Sequence, residues 1–356
     1  MTTKGEQIWT ALLRADIVKG DEPERTELET PWFVRVLLAF SGWLAALFFL
    51  GFIGMGFDFI FNNSAAAFLL GSVMIGGAFA ILRIPNNEFV EHLALAASLA
   101  GQALIAFSII DFTNQDEKIA WLLVALLQVL LSLIMPSFVH RVFSAFVAVV
   151  AFTMTLHIMG FPSVMGGVVL FLSVLCWLNE FRYPQHMKKM RAIGYGLVLS
   201  LTLLQGTELF GYGAVGWLFG SYDSAGPSYP WIGEIIIGLV TLYLVWQTLH
   251  RYNQVMFGRL SILAFLGVLL IIAVSLEVQG ITVGIVIMML GFSGSNRLLL
   301  GLGIVSLLFY ISSYYYLLDA TLLDKSLTLL IVGLSLLVVR LIMLRMLPVK
   351  SGGQHA

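Results

Sequence analysis

The sequence predicts an all-α, polytopic integral membrane bundle of about 12 transmembrane helices, with both termini on the cytoplasmic side. Three observations lead there. Of 356 residues, 59% are hydrophobic and only 11% charged, whereas soluble domains carry about 25% charge. Lipid can solvate that much apolar surface and a water-soluble globule of this size cannot. The apolar residues recur in segments of roughly 20, enough to cross a hydrocarbon core of about 30 Å. Lys and Arg fall almost entirely on alternate loops, the pattern of cytoplasmic loops.

The elements follow in chain order. Residues 1–30 read as a cytoplasmic amphipathic helix and an acidic linker. Within 5–17, Ile8, Trp9, Leu12, Leu13 and Ile17 share one face of a 3.6-residue period. The 21–29 stretch, rich in Asp and Glu around Pro23, favours solvent. No contiguous apolar run in the first thirty residues resembles a cleavable signal, so the first span is expected to anchor the chain. Thr30-Pro31 supplies an N-cap and a first-turn proline. The bundle then occupies 31–350, and 351–356 form a cytoplasmic tail. Spans are expected near 32–56, 64–83, 90–110, 119–136, 139–159, 162–179, 191–210, 231–250, 258–276, 279–292, 298–318 and 326–347. The segment 279–292 is short and could be re-entrant. Twelve full spans leave only Lys118 and Lys325 of the 19 basic residues outside, while re-entry would add Arg340, Arg345 and Lys350 to them. The charge bias therefore favours 12 spans. The longest loops between spans, 211–230 outside and 179–191 inside, are too short for a folded domain.

Composition and motifs exclude several classes of chemistry. A net charge of −1 gives no basic surface for nucleic acid. The single cysteine, Cys176, allows neither an internal disulfide nor a cysteine metal cluster. There is no P-loop and no His-Glu-x-x-His motif, and Gly291-Phe292-Ser293-Gly294 falls short of a nucleophile elbow. Residues Gly211-Tyr212-Gly213-Ala214-Val215-Gly216 match G-x-G-x-x-G formally, but a membrane segment precedes them instead of a βαβ strand. A flexible glycine turn is the better reading, and no cofactor or metal is expected.

Polar residues in or beside the apolar segments are the remaining candidates. Glu208, Glu234, Glu277 and Asp319 lie at outer ends of spans, with Lys325 opening the last one. Together they could line one external mouth and carry protons or a cation; the plainer reading is that helix-end charges face water or headgroups. Gln102, Gln128, Gln205 and His157 could mark a polar path, or simply hydrogen-bond between helices. Arg340, inside the last span, either snorkels or pairs within the bundle. Gly280-x-x-x-Gly284 permits close helix contact. Tyr310, Tyr314, Tyr315 and Tyr316 read as an interfacial aromatic belt or as a partner-docking edge.

The run Tyr314-Tyr315-Tyr316-Leu317-Leu318-Asp319-Ala320-Thr321-Leu322-Leu323-Asp324-Lys325-Ser326-Leu327, with Gly333 and Arg340 in the apolar span after it, carries a resemblance. It is similar to the end of a bacterial multi-pass membrane family, the domain of unknown function 4401. The N-terminal helix with Trp9, the acidic linker and the serial spans fit the same layout, so the likeness covers nearly the whole chain. The resemblance implies a bacterial inner-membrane protein without an assigned activity. It also implies a companion, a small membrane-anchored protein with a GDYXXLXY motif, and it singles out Lys325 and Ser326. Asp324 departs from the uncharged residue expected before that lysine. Three functions compete: a non-enzymatic subunit docking such a partner, a transporter or flippase for a small molecule or lipid, and an enzyme acting on a lipid-linked substrate. The first is preferred.

Overall fold

A computed structural model describes residues 63–84, 88–114, 116–161, 163–210, 230–251, 258–275, 280–317 and 321–346, with scattered positions in 9–15 and 34–55. The described chain is helical, with no β-strand among those residues. Every position described between 34 and 55 is helical, as expected of the first span. Eleven longer helices follow: α1 (Ser64–Arg83), α2 (Glu88–Phe112), α3 (Glu117–Ile134), α4 (Phe138–Ile158), α5 (Val164–Leu178), α6 (Met187–Phe210), α7 (Pro230–Arg251), α8 (Arg259–Ser275), α9 (Ile281–Ser293), α10 (Arg297–Leu317) and α11 (Leu322–Met346). They coincide with the expected apolar segments to within a few residues. Stretches within α1, α2, α3, α4 and α7 are long and apolar enough to cross a membrane, and shorter apolar stretches lie in α5, α8, α9 and α10. This is a helical membrane protein. The expected acidic linker, the first-turn proline, the glycine turn at 211–216 and the C-terminal tail lie outside the described residues.

Local chemistry sets the helix ends. Asn63 accepts hydrogen bonds from the Ala65 and Ala66 N–H groups and opens α1. Asp116 does the same for α3 through the Ile119 N–H. These side chains occupy donors that the first helical turn cannot pair internally. Two helices end in a left-handed residue whose neighbours cap the last carbonyls. At the end of α4, Gly160 (φ +89°) donates to the His157 carbonyl and Phe161 to that of Leu156. At the end of α9 the left-handed residue is Ser295 (φ +51°), with Ser295 donating to Phe292 and Asn296 to Gly291.

Glycines govern the closest packing. In the α1/α2 pair, a Cβ on Gly71 would come within 2.6 Å of the Gly101 carbonyl oxygen, and one on Gly101 within 2.7 Å of the Gly71 oxygen. The backbones touch because neither residue has a side chain. The α9/α10 hairpin uses the same device: a Cβ on Gly303 would meet the Met288 nitrogen at 2.6 Å, and one on Gly284 the Leu307 Cα at 3.2 Å. Gly284 thus makes the close contact expected of the Gly280-x-x-x-Gly284 pair. Gly280 itself lies just before α9 with φ +88°, where a Cβ would meet the Tyr310 ring at 2.8 Å. The hydrophobic core sits between α4, α5, α6, α7, α9 and α10, around Val169, Leu170, Val174, Val198, Leu201, Leu244 and Ile287. Two smaller clusters join α1 to α2 around Ala67 and Leu104, and α3 to α4 around Ala125 and Ala151. On α11 every described apolar side chain is exposed, and on α1 only Ala67 and Ala78 among the apolar side chains are fully buried, as lipid contact allows.

Candidate functional site

Three polar arrangements stand out, and the sequence marked parts of two. The first lies where α2, α3 and α4 meet. His140 is fully buried two residues into α4. Its Nε2 lies 2.7 Å from the Ser98 hydroxyl and 2.9 Å from Gln102 Nε2, and its Nδ1 lies 3.2 Å from the Ser144 hydroxyl. Gln128 Nε2 donates to Gln102 Oε1 at 2.9 Å. Both ring nitrogens thus have polar neighbours, Nε2 in Ser98 and Gln102 and Nδ1 in Ser144. One linked chain of polar groups thus joins three helices through an apolar interior. Gln102 and Gln128 were recognisable as polar-path or glue residues, and the structure brings them together. Gln205 and His157 are also buried but sit elsewhere, on α6 and at the end of α4.

His140 was missed, and the signal for it was faint. It stands beside Arg141 and close to the helix start, so the pair reads as loop charge. The structure buries both, leaving Arg141 only 8% exposed. The available clue was Ser144, one turn on from His140, which puts two polar groups on one face of α4.

The second arrangement closes one end of the central bundle. Glu180 is 2% exposed and paired with Arg191. Arg251 Nη2 donates to the Leu178 carbonyl at 2.7 Å. Tyr195 donates to Asn296 Oδ1 at 3.1 Å, and Asn296 Nδ2 lies 2.8 Å from the same hydroxyl. Asn296 Oδ1 also accepts from the Leu299 N–H and so starts α10. Trp177 and Phe138 present their rings edge-on to Tyr195, at 5.0 and 6.2 Å. The ends of α5, α7 and α9 and the starts of α4, α6 and α10 are locked together here.

The third arrangement is the junction of α10 with α11. Lys325, half-buried, holds its Nζ 5.4 Å from the centre of the Tyr315 ring. This is a cation–π contact between the end of one helix and the start of the next. Tyr316 packs its ring at 5.8 Å from Tyr315 and is 82% exposed. Thr321 donates through its hydroxyl to Asp324 Oδ2 at 2.7 Å, while the Asp324 N–H donates back to that hydroxyl at 3.3 Å. Asp324, the departure noted in the sequence, is therefore engaged in capping α11. The Ser326 hydroxyl donates to the Leu323 carbonyl at 2.8 Å and faces outward.

Of the remaining sequence candidates, Glu234 is half-buried near the start of α7. Glu277 and Asp319 lie outside the described residues, as do the side chains of Glu208 and Tyr314. Tyr310 does not belong to an interfacial belt. It is fully buried, packed over Gly280 with its hydroxyl donating to the Thr202 carbonyl at 3.4 Å. The missing Cβ of Gly280 makes room for the ring, so the tyrosine turns into the core. Among the described residues no cluster of His, Cys, Asp and Glu could hold a metal ion.

Comparison with known proteins gives one relation. The family model described as Domain of unknown function (DUF4401) matches residues 31–346. No curated protein and no solved structure matches.

Proposed function

We propose, for a chain that belongs to the family Domain of unknown function (DUF4401), the role of a non-enzymatic, multi-pass subunit that docks a small membrane-anchored partner. In this reading the chain lies in a bacterial inner membrane, with 12 spans and both termini inside. The partner meets it at the junction of α10 and α11.

The observation that carries the reading is the form of that junction. Lys325 is poised over Tyr315 beside the outward-facing Tyr316 and Ser326. Every other described side chain of α11 is exposed. A basic group among tyrosines, at the start of an under-packed helix, suits an acidic, aromatic segment such as a GDYXXLXY motif, through charge and ring contacts. Asp319 and Tyr314 belong to the same proposed edge by sequence, and Glu208, Glu234 and Glu277 to a proposed acidic mouth nearby. The convergence of Arg191, Arg251 and Asn296 at one end of the bundle supports placing their loops on one side of the membrane. The α9 helix supports a crossing more than a re-entrant turn, because it runs against α10 from Tyr310 to Asn296.

The test is co-purification of the full chain with its co-expressed, tagged companion after mild detergent extraction, with a photo-crosslinker at position 323. We expect a specific crosslink, and at least about a tenfold loss of capture on K325E, the scale of one lost charge contact. Isolation of the chain alone, or capture unaffected by K325E, would overturn the reading. The linked Ser98, Gln102, Gln128 and His140 groups favour one second reading, a transporter or flippase with a polar path between α2, α3 and α4. Solute or lipid movement in vesicles that is lost on Q102L would support it over docking.

A further inference from the structure

The burial of Arg141 has no explanation within the described part of the molecule. The residue lies in the first turn of α4 and is 92% buried, being 8% exposed. Its Nε has no hydrogen-bond partner. The ion pair found among the described residues joins Arg191 to Glu180, so the buried carboxylate at that end of the bundle is already occupied. An arginine cannot shed its charge as a lysine can, so the enclosed Nε is an unpaired donor of a permanent cation, while the two Nη groups reach the surface. Its surroundings therefore call for an anion.

The backbone beside it asks for the same thing. Ser137 occupies the N-cap of α4 but makes no side-chain cap hydrogen bond. The first intrahelical bond is from the Arg141 N–H to the Ser137 carbonyl, so the N–H groups of Phe138, Val139 and His140 have no carbonyl one turn back. Helical side chains lean toward the N-terminus, which directs Arg141 back over this turn. The His140 imidazole is already committed to Ser98, Gln102 and Ser144 and does not compete for the position. Further positive charge is near. Helix α6 packs on α4 so closely that a Cβ on Gly196 would lie 2.6 Å from the Val142 carbonyl oxygen. Its first turn carries Lys188 and Lys189, both exposed.

We infer that the start of α4 is a binding site for a phosphate-bearing anion, held by the Arg141 fork and the open N–H groups of the first helical turn. Arginine's planar donors match two phosphate oxygens, and a helix N-terminus adds aligned N–H dipoles. The anion is the headgroup phosphate of an anionic phospholipid or a free phosphate. The site lies at a helix end, where headgroups are found in a membrane protein. It is separate from the α10/α11 junction, and its fate does not depend on partner docking.

The test uses the purified full chain in nanodiscs of phosphatidylcholine alone, or with phosphatidylglycerol, and in detergent with inorganic phosphate. Bound lipid is read by native mass spectrometry and stability by thermal unfolding. Selective retention of phosphatidylglycerol over phosphatidylcholine, with a higher Tm, supports a headgroup site. The same rise in Tm with inorganic phosphate alone supports a free-phosphate site. R141Q is expected to weaken either ligand at least about tenfold, the effect of losing a charge-assisted contact, with R141K intermediate. Should R141Q fail to fold, R141K and the wild-type headgroup preference still decide. Equal retention of both lipids with no phosphate effect would overturn the site. So would selectivity that survives R141Q but disappears in the K188Q/K189Q double variant, which would make it a surface charge effect.

Discussion

His140 shows how much a single side chain can organise in an apolar interior. A lone histidine buried among helices would leave both ring nitrogens unpaired, at a cost of about 1–3 kcal/mol for each group. Here Ser98, Gln102 and Ser144 pair both nitrogens, and Gln128 extends the set to a third helix. Polar contacts between membrane helices contribute modestly one by one, about 0.6–2 kcal/mol. A residue that joins three of them is expected to matter more. His140→Ala should destabilise the protein by about 2 kcal/mol or more, by removing these bonds and leaving Gln102 underused. Thermal unfolding in detergent measures this; a melting temperature equal to wild type would mean that water replaces the ring at no cost. Spacing could not reveal this residue, because hydrophobicity patterns register a histidine as polar wherever it points. Its burial depends on α2 and α3, which lie elsewhere in the chain.

Helix ends and helix contacts belong to the next scale. The C-terminus of α4 depends on Gly160, at φ +89° with open space where a Cβ would sit. Gly160→Ala therefore tests backbone strain alone, with an expected cost of about 1–2 kcal/mol. A loss below that range would show that the turn relaxes to another conformation. The α9/α10 hairpin offers a test of packing instead. A Cβ on Gly303 meets the Met288 backbone at 2.6 Å, while Gly301 has nothing within 4 Å. Gly303→Ala should cost about 1–3 kcal/mol through overpacking. Gly301→Ala should be neutral or stabilising by up to about 1 kcal/mol, since alanine is the better helix former. Equal unfolding temperatures for the two variants would contradict the close approach of α9 and α10. The positions of these helices were legible in the sequence because apolar runs and N-caps such as Asn63 and Asp116 are local signals. The fate of Tyr310 was not. An aromatic near a cluster of tyrosines reads as interfacial until Gly280, thirty residues away, is seen to receive its ring.

At the scale of the whole molecule, the open question with the cleanest experiment is orientation. With Cys176 replaced by serine, single cysteines at 118 and 188 are expected to react with a membrane-impermeant thiol reagent from opposite sides. Position 118 should label in intact cells and position 188 only after the membrane is opened. Labelling of both from one side would break the 12-span reading. That orientation rests on the distribution of Lys and Arg, which sequence displays directly because membrane insertion reads charge loop by loop. The sequence by itself determined that the chain is a helical membrane protein and where nearly all its helices lie, since lipid demands long apolar segments and leaves few alternatives to a helix. Tertiary structure alone decided which polar groups are buried together. It joined Gln102 and Gln128 to His140, paired Glu180 with Arg191, set Lys325 on Tyr315 and enclosed Arg141. The physical reason is that burial and pairing depend on which helix faces meet. Packing sets those faces through contacts between residues far apart in the chain, where hydropathy and spacing carry no information.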